Sequence, residues 1–254
     1  MYVFNGAGTV KRVDHGTSGN FNGYDDLGSW VPPKQGAKTT PGEFQAIVNC
    51  NDCKDTGWAL TKPAFLQTWL DDGNTLKLTK NVSIGFTQTP AAFLAPGNVF
   101  AGMNATFGLQ PDGMVRTKDG DLLMALYGYA KDAPVPGKYT VAFYSSFDEG
   151  VTWAYSSRVD VTQAMTTPGE GPCEPSMVTL ADGRVLAAFR LSGGIPLWQS
   201  YSFDNGQSWT PPKAMIGKAA SGGAGMIPYG VWPELLLLSN GALVLGSGRP
   251  GIVS

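Results

Sequence analysis

Two cysteines, Cys50 and Cys53, lie close enough in the sequence to act together. They bracket two residues of the polar, turn-rich stretch CNDC. A pair spaced in this way can form a local disulfide, act as a redox couple or supply half of a zinc site. Zinc is disfavoured because the chain has no second such pair and its single histidine is His15. We expect a local disulfide or two unpaired thiols, and we expect Cys173 to be a small buried apolar residue.

Aspartates in a repeated pattern are the second candidate for chemistry. Residues 146–153 read SFDEGVTW and residues 202–209 read SFDNGQSW, so both fit S-x-D-x-G-x-x-W. The pattern looks catalytic, but it suits a turn better than a catalytic or calcium site. A carboxylate can accept backbone N–H groups, glycine permits positive φ, and tryptophan buries a large apolar face. We therefore predict structural roles for the shared residues, which are Ser146, Asp148, Gly150, Trp153, Ser202, Asp204, Gly206 and Trp209.

Hairpin signals indicate the elements that carry these repeats. Apolar runs flank three turn dipeptides, which are Asp119-Gly120, Asp182-Gly183 and Asn240-Gly241. Such dipeptides between apolar runs are the strongest short-range hairpin signal. Each unit is interpreted as a hairpin, a loop and a second hairpin closed by the repeat. Four antiparallel strands in roughly 56 residues match the size of a propeller blade, so the sequence predicts an all-β propeller.

The pattern is uneven along the chain. Residues 1–100 hold only degenerate copies of the repeat, at 23–30 and 69–76, and predict one or two decayed or elaborated blades. Residues 101–254 hold the clear copies. The last hairpin reaches Ser254 without a second half, which predicts an incomplete propeller that is truncated at its C-terminus.

Composition excludes several classes of protein. Hydrophobic residues make up 43% of the chain and charged residues 15%, which favours a substantial core over a long charged helix. A net charge of −2 without a basic block disfavours nucleic acid as a partner. No apolar run approaches the roughly 18 residues of a membrane span. The first 15 residues lack the apolar region of a signal peptide, while N-x-S/T triplets at 81–83 and 104–106 lean slightly towards secretion.

The two repeats and their hairpins resemble the sialidase (neuraminidase) superfamily, in which the repeat is called an Asp box or BNR repeat. The best stretch is residues 173–190, CEPSMVTLADGRVLAAFR, which runs on to the repeat at 202–209. The resemblance is good over residues 109–254 and poor before them. It implies a six-bladed propeller with four-stranded antiparallel blades, a glycan site at the central channel, an extracellular location, and no metal or organic cofactor.

The resemblance also implies roles for individual residues. Sialidases bind the sugar carboxylate with three arginines, use an aspartate as acid/base, and use a tyrosine activated by a glutamate as nucleophile. Arginine forks suit a carboxylate, and a neutral phenol avoids repulsion from it. Here Glu174 matches the glutamate, Arg190 the second arginine, Arg249 the third and Asp132 the acid/base. In a four-stranded blade these four residues share one face, opposite the turn glycines and the repeats.

Each of these residues also has an ordinary structural alternative. Glu174 could cap a strand entrance, and Arg190 could simply pair with Glu174. Asp132 could be a solvated loop residue, and Arg249 could be a turn residue beside Pro250.

The chain departs from the sialidase pattern at two places. Alignment on the turn glycines puts Gln110 where the first arginine belongs, and the nearest arginine, Arg116, lies within the strand. Loss of one arginine fork weakens carboxylate binding by a few kcal/mol. None of the nine tyrosines occupies the place of the nucleophile, and Tyr229 comes too early. We therefore expect a fragment that is inactive alone.

Three hypotheses remain at this point. The first is a sialidase-like glycoside hydrolase, or a piece of one, that removes terminal sialic acid or a related acidic sugar. The second is a non-catalytic propeller that binds glycan or protein, and the third is a purely structural propeller. Convergence of Asp132, Glu174, Arg190 and Arg249 on one open cleft favours the first. Divergence, or a Glu174–Arg190 pair buried away from solvent, argues against sialidase chemistry.

Overall fold

The computed structural model is an assembly of antiparallel sheets and turns. The residues that it describes are 2–4, 10–12, 29–34, 40–48, 65–72, 76–87, 99–100, 103–104, 108–165, 169–192, 195–217 and 227–248. Their helical content is a 3-10 turn at Gln163–Met165, so the predicted all-β class is confirmed. No helix in this part of the chain is both long and apolar enough to span a membrane.

A four-stranded antiparallel sheet lies within the N-terminal hundred residues, and we call it the first blade. Its strands in spatial order are β3 (Ser29–Trp30), β4 (Glu43–Val48), β5 (Phe65–Asp71) and β6 (Leu76–Ser83). The degenerate repeat at 69–76 begins in β5 and ends at the first residue of β6, whereas the copy at 23–30 contributes only β3 to the described residues. Two short hairpins flank this blade: β1 (Tyr2–Phe4) with β2 (Val10–Arg12), and β8 (Val99–Phe100) with β9 (Met103–Asn104).

Two further blades and a final hairpin follow. The second blade has the order β10 (Gly108–Arg116), β11 (Leu122–Tyr129), β12 (Tyr139–Ser146) and β13 (Thr152–Val159), and β7 (Gly85–Phe86) pairs with β13 in parallel. The third blade has the order β14 (Cys173–Thr179), β15 (Val185–Arg190), β16 (Trp198–Ser202) and β17 (Lys213–Ala214). The last hairpin is β18 (Val231–Leu237) with β19 (Leu243–Gly248).

The predicted hairpin turns are confirmed. Gly120, Gly183 and Gly241 each join the first strand of a unit to its second, and all three have positive φ. Asp-Gly and Asn-Gly occur here because glycine adopts that conformation without a Cβ clash.

The blades stack face to face, which explains the long apolar runs of their central strands. Every residue of β11 is buried. Leu122, Met124 and Leu126 pack towards the first blade, while Leu123 and Ala125 pack in the core shared with the third blade. A strand covered on both faces needs apolar residues at every position rather than at alternate ones.

The first strands of successive units lie side by side, because β10 contacts both β3 and β14, and β14 contacts β18. The antiparallel order then gives each unit two distinct ends. We call the end with the turns at 117–121, 180–184 and 238–242 the turn face. We call the opposite end, where β10, β14 and β18 begin and where residues 130–138 lie, the loop face.

Some sequence predictions fall outside the described residues. Cys50, Cys53 and Arg249 are among these, and for Gln110 only the backbone, within β10, is described. Cys173 is a buried free thiol.

Candidate functional site

The two repeats close matching turns on the turn face. In the first copy, Ser146 Oγ donates to Asp148 Oδ1 at 2.9 Å, and Gly150 N donates to Ser146 Oγ at 2.8 Å. The amide and hydroxyl of Thr152 donate to the two oxygens of Asp148 at 2.8 and 2.7 Å. Burial alone would raise the pKa of Asp148, but the hydrogen bonds from Thr152 and Ser146 outweigh it and hold the pKa below its ordinary value.

The second copy repeats this arrangement. Ser202 Oγ donates to Asp204 Oδ1 at 2.8 Å, and Gly206 N donates to Ser202 Oγ at 2.7 Å. Ser208 N donates to Asp204 Oδ1 at 2.8 Å. Both aspartates thus have their oxygens occupied by the turn itself, at the end of the blades opposite the loop face. This geometry supports a structural role for them.

The tryptophans of the repeats anchor these turns to their neighbours. Trp153 is fully buried and its Nε1 donates to Gly150 O at 2.9 Å. Trp209 reaches the second blade, where its Nε1 donates to Ser157 Oγ at 3.1 Å and its ring stacks on Phe143 with centroids 4.1 Å apart.

On the loop face, Glu174 and Arg190 form a forked ion pair. Arg190 Nε donates to Glu174 Oε2 at 2.6 Å, and Arg190 Nη2 donates to Glu174 Oε1 at 3.1 Å. Cys173 pairs with Arg190 across β14 and β15, so the next residue, Glu174, lies beside Arg190. The side chains are 9% and 15% exposed, respectively, so the pair is largely removed from water.

A second carboxylate also holds Arg190. Glu170 Oε2 lies 2.7 Å from Arg190 Nη1, and the Glu170 side chain is 32% exposed. Burial alone would lower the pKa of Arg190, but its interactions with Cys173 and the two glutamates outweigh this and raise it. The guanidinium therefore stays charged between two carboxylates.

Asp132 belongs to a different group on the same face. Arg158 Nη1 donates to Asp132 Oδ1 at 2.6 Å, and Arg158 Nε donates to Asp160 Oδ2 at 2.8 Å. The Asp132 side chain is 60% exposed. Its hydrogen bond with Arg158 lowers the pKa of Asp132, so the carboxyl is ionised at neutral pH and has no proton to donate as a general acid in this state.

The sequence-predicted site residues are thus brought together only in part. Glu174 and Arg190 are in direct contact. Asp132 shares their face, but among the described residues no direct hydrogen bond or ion pair joins it to Glu174 or Arg190. The strand register also locates the position that corresponds to Arg190 in the last hairpin. Arg190 pairs with Cys173 in the third blade, and Gly248 pairs with Val231 in the same way. Arg249 is the next residue after that place.

Four residues that sequence reasoning did not select complete these groups. Glu170, Arg158 and Asp160 supply the charges just described. Trp232 N donates to Glu174 Oε2 at 2.8 Å from the neighbouring hairpin. The sequence could have indicated Trp232: when the turn glycines Gly183 and Gly241 are aligned, Trp232-Pro233 falls at the place of Glu174-Pro175.

Phenols lie close to the Glu174–Arg190 pair. Tyr127 is buried, and burial together with the nearby Cys173 and Glu174 raises its pKa, so the phenol is neutral. Tyr129 and Tyr139 stack with ring centroids 4.4 Å apart. Within the described ranges, no cluster of three or more histidine, cysteine, aspartate or glutamate side chains could hold a metal ion.

Comparison with known proteins gives one family match. The model of the BNR repeat-like domain matches residues 44–244. A search of curated proteins finds no significant match.

A comparison with solved structures finds similar chains, of which three come from different sources. A protein of unknown function from Dyadobacter fermentans is 18% identical, with 90% of this chain and 78% of that chain covered and a TM-score of 0.47. A Hadza microbial sialidase is 15% identical, with coverage of 83% and 39% and a TM-score of 0.46. An alpha-L-arabinanase from Penicillium chrysogenum, complexed with arabinobiose, is 16% identical, with coverage of 91% and 62% and a TM-score of 0.48. The chain spans less than two thirds of the sialidase and of the arabinanase.

Proposed function

The chain belongs to the BNR repeat-like domain family, and from this premise we propose that it is part of a sialidase-like glycoside hydrolase whose loop face receives the terminal sugar of a glycan. The Glu174–Arg190 pair is largely covered, which by itself argues against sialidase chemistry, but Nη1 of Arg190 also contacts Glu170, whose side chain is 32% exposed. The observation that carries the proposal is this charged arginine, held at the loop face by Glu174 and in contact with a partly exposed carboxylate. Sequence resemblance gives these two residues the places of a substrate-binding arginine and of the glutamate that activates a phenol.

Arg190 retains donors for a substrate. A guanidinium has five N–H groups, and here Nε and one Nη2 group bind Glu174 while one Nη1 group faces Glu170. Among the described residues, one N–H group on each terminal nitrogen then has no partner, and a carboxylate that binds bidentately accepts from two N–H groups. The proposed role of Arg190 is therefore compatible with its pairing to Glu174.

Glu170 is the carboxylate that an acidic sugar would displace. Two glutamates around one arginine leave a net negative charge, which repels an anionic ligand. Glu170 is 32% exposed against 9% for Glu174, so it moves into water at the lower cost. We propose that the sugar carboxylate takes the place of Glu170 at Nη1 while Glu174 keeps Arg190 oriented.

The test is hydrolysis of a fluorogenic sialic acid glycoside by the complete protein of which this chain is a part, and by variants of that protein. Arg190→Lys removes the fork, and we expect kcat/KM to fall about 10- to 100-fold, as for loss of a charge-assisted hydrogen bond. Glu170→Gln removes the competing charge, and we expect a lower KM. Arg184→Lys is the matched control, because Arg184 forms an exposed pair with Asp182 on the turn face.

A second candidate function is non-catalytic glycan binding, which the exposed and ionised Asp132 favours. Calorimetric titration with free sialic acid separates the two. Binding without hydrolysis assigns the chain to recognition, and absence of both overturns the sugar-acid proposal.

A further inference from the structure

Two residues in the first strands of the third blade and of the last hairpin, β14 and β18, have an unusual backbone conformation. Glu174 has a φ of 50° and Trp232 a φ of 56°. Glu149 and Asn205, the other non-glycine residues with positive φ among those described, belong to the repeat turns. Neither glutamate nor tryptophan favours this left-handed region, which costs roughly 1–2 kcal/mol per residue.

The same local device produces both conformations. Glu174 and Pro175 together face the single residue between Ala188 and Arg190, and Trp232 and Pro233 likewise face the single residue between Gly246 and Gly248. Each is a β-bulge, in which two residues oppose one. The following proline disfavours the right-handed helical region for the residue before it. The bulge thus occupies corresponding places at the loop-face ends of β14 and β18.

The consequence at Trp232 is a redirected amide. An ordinary extended residue at this place directs its N–H along the sheet, whereas Trp232 N donates to Glu174 Oε2 at 2.8 Å on the neighbouring unit. Oε2 also accepts from Arg190 Nε, while Oε1 accepts, as far as the described residues go, from Arg190 Nη2 alone. Each carboxylate oxygen has about two lone-pair sites, so Oε2 is filled and Oε1 keeps one free.

We propose that Trp232 is a positioning residue for Glu174, and that it acts through its left-handed backbone rather than through its indole. The amide fixes Oε2 from one side while Arg190 fixes it from the other, which leaves Oε1 as the oxygen that accepts a proton from a phenol. The catalytic meaning of this arrangement rests on the proposed function, but the contact between Trp232 and Glu174 does not.

A substitution series separates backbone from side chain. Glycine adopts positive φ freely, asparagine tolerates it, and a β-branched valine does so least. We expect Trp232→Gly and Trp232→Asn to keep kcat within about threefold of the parent, and Trp232→Val to lower it at least about tenfold. If the indole is what matters, Trp232→Phe keeps activity and Trp232→Gly loses it, which overturns the proposal.

Trp198 provides the matched control. It opens β16 with a regular strand conformation and is also half-buried. Valine suits such a position better than glycine. At Trp198 the valine variant should therefore keep a higher kcat than the glycine variant, which is the reverse of the order expected at Trp232.

A measurement without substrate keeps the inference independent of the proposed function. The change from glycine to valine at position 232 is combined with Glu174→Met, which removes the acceptor at similar volume. We compare the unfolding equilibrium constants of the valine and glycine variants at position 232, once with Glu174 and once with Glu174→Met. The ratio of the two constants should be at least about tenfold larger when Glu174 is present. Equal effects in the two backgrounds would overturn the inference. Failure of every variant, including the parent, to cleave sugar would overturn only the proposed function.

Discussion

At the scale of single residues, the loop face holds two arginines that each lie between two carboxylates. Arg190 lies between Glu170 and Glu174, and Arg158 lies between Asp132 and Asp160. In each group one carboxylate is more exposed than the other: Glu170 more than Glu174, and Asp132 more than Asp160. Under the proposed function, Glu170 would have to leave Arg190 when an acidic sugar binds, and Asp132 would have to leave Arg158 in order to act as the acid/base.

Asp132 provides a direct test of this view. Arg158 lowers the pKa of Asp132, so Arg158→Gln should raise that pKa towards the ordinary aspartate value. Carboxyl-carbon NMR titration of Asp132 measures the change. Asp182, whose pKa is lowered by Arg184 on the turn face, should titrate unchanged in the same sample. An unaltered titration of Asp132 would show that Arg158 does not control its protonation.

At the scale of elements, the repeat turns are closed hydrogen-bond networks. The serine hydroxyl binds a backbone amide and the aspartate, and the aspartate binds the next strand's first amide. These bonds need the ionised carboxylate, because only that form accepts at both oxygens. The turns should therefore stabilise the fold in a pH-dependent way.

The variant Asp148→Asn/Asp204→Asn tests this dependence. Both aspartates have lowered pKa values, so their stabilisation is present above the unfolded pKa of about 4 and is lost as the pH falls through the folded value. At pH 7 we expect the double variant to lose about 2 kcal/mol of unfolding free energy, because each asparagine replaces one acceptor oxygen with an NH2 donor and each lost hydrogen bond costs about 1 kcal/mol. Urea unfolding at pH 7 and pH 2.5 should show that the gap narrows in acid. A gap independent of pH would refute the carboxylate's role.

Sequence predicted the local elements and missed the contacts between them. The turns at Gly183 and Gly241 and the likeness to the BNR family were readable, because turn chemistry and repeat spacing lie within short stretches. The Glu174–Arg190 pair could be anticipated from one hairpin. The contact from Trp232 could not, because it depends on a bulge and on how two units stack. The roles assigned to Asp132, Arg249 and Gln110 stay predictions.

At the scale of the whole molecule, the blades share their cores rather than standing separately. Phe143 of the second blade stacks on Trp209 of the third, and the hydroxyl of Ser157 donates to Gly206 O across the same boundary. The repeat turn of one blade is thus built into the surface of the blade before it. Loss of packing at this boundary should loosen both blades, because each buries the other's apolar residues.

Two glycine substitutions isolate this coupling. Gly206 and Gly241 both have positive φ, so alanine at either position carries a backbone cost of roughly 1 kcal/mol. A Cβ on Gly206 would lie 2.5 Å from a side-chain carbon of Leu123 in the second blade, whereas one on Gly241 meets nothing within 4 Å. Gly206→Ala should therefore cost about 1–3 kcal/mol more than Gly241→Ala, as expected for overpacking of a buried site.

Amide hydrogen exchange measures which strands Gly206→Ala destabilises. Because Leu123 is fully buried in the core shared by the two blades, Gly206→Ala should reduce amide protection in β11 of the second blade as well as in β16 of its own. Gly241→Ala should leave β11 unchanged. Two outcomes would contradict this coupling: equal unfolding free energies for the two variants, or loss of amide protection confined to the third blade. Either would mean that the blades open independently and that the repeat turn does not stabilise the contact between them.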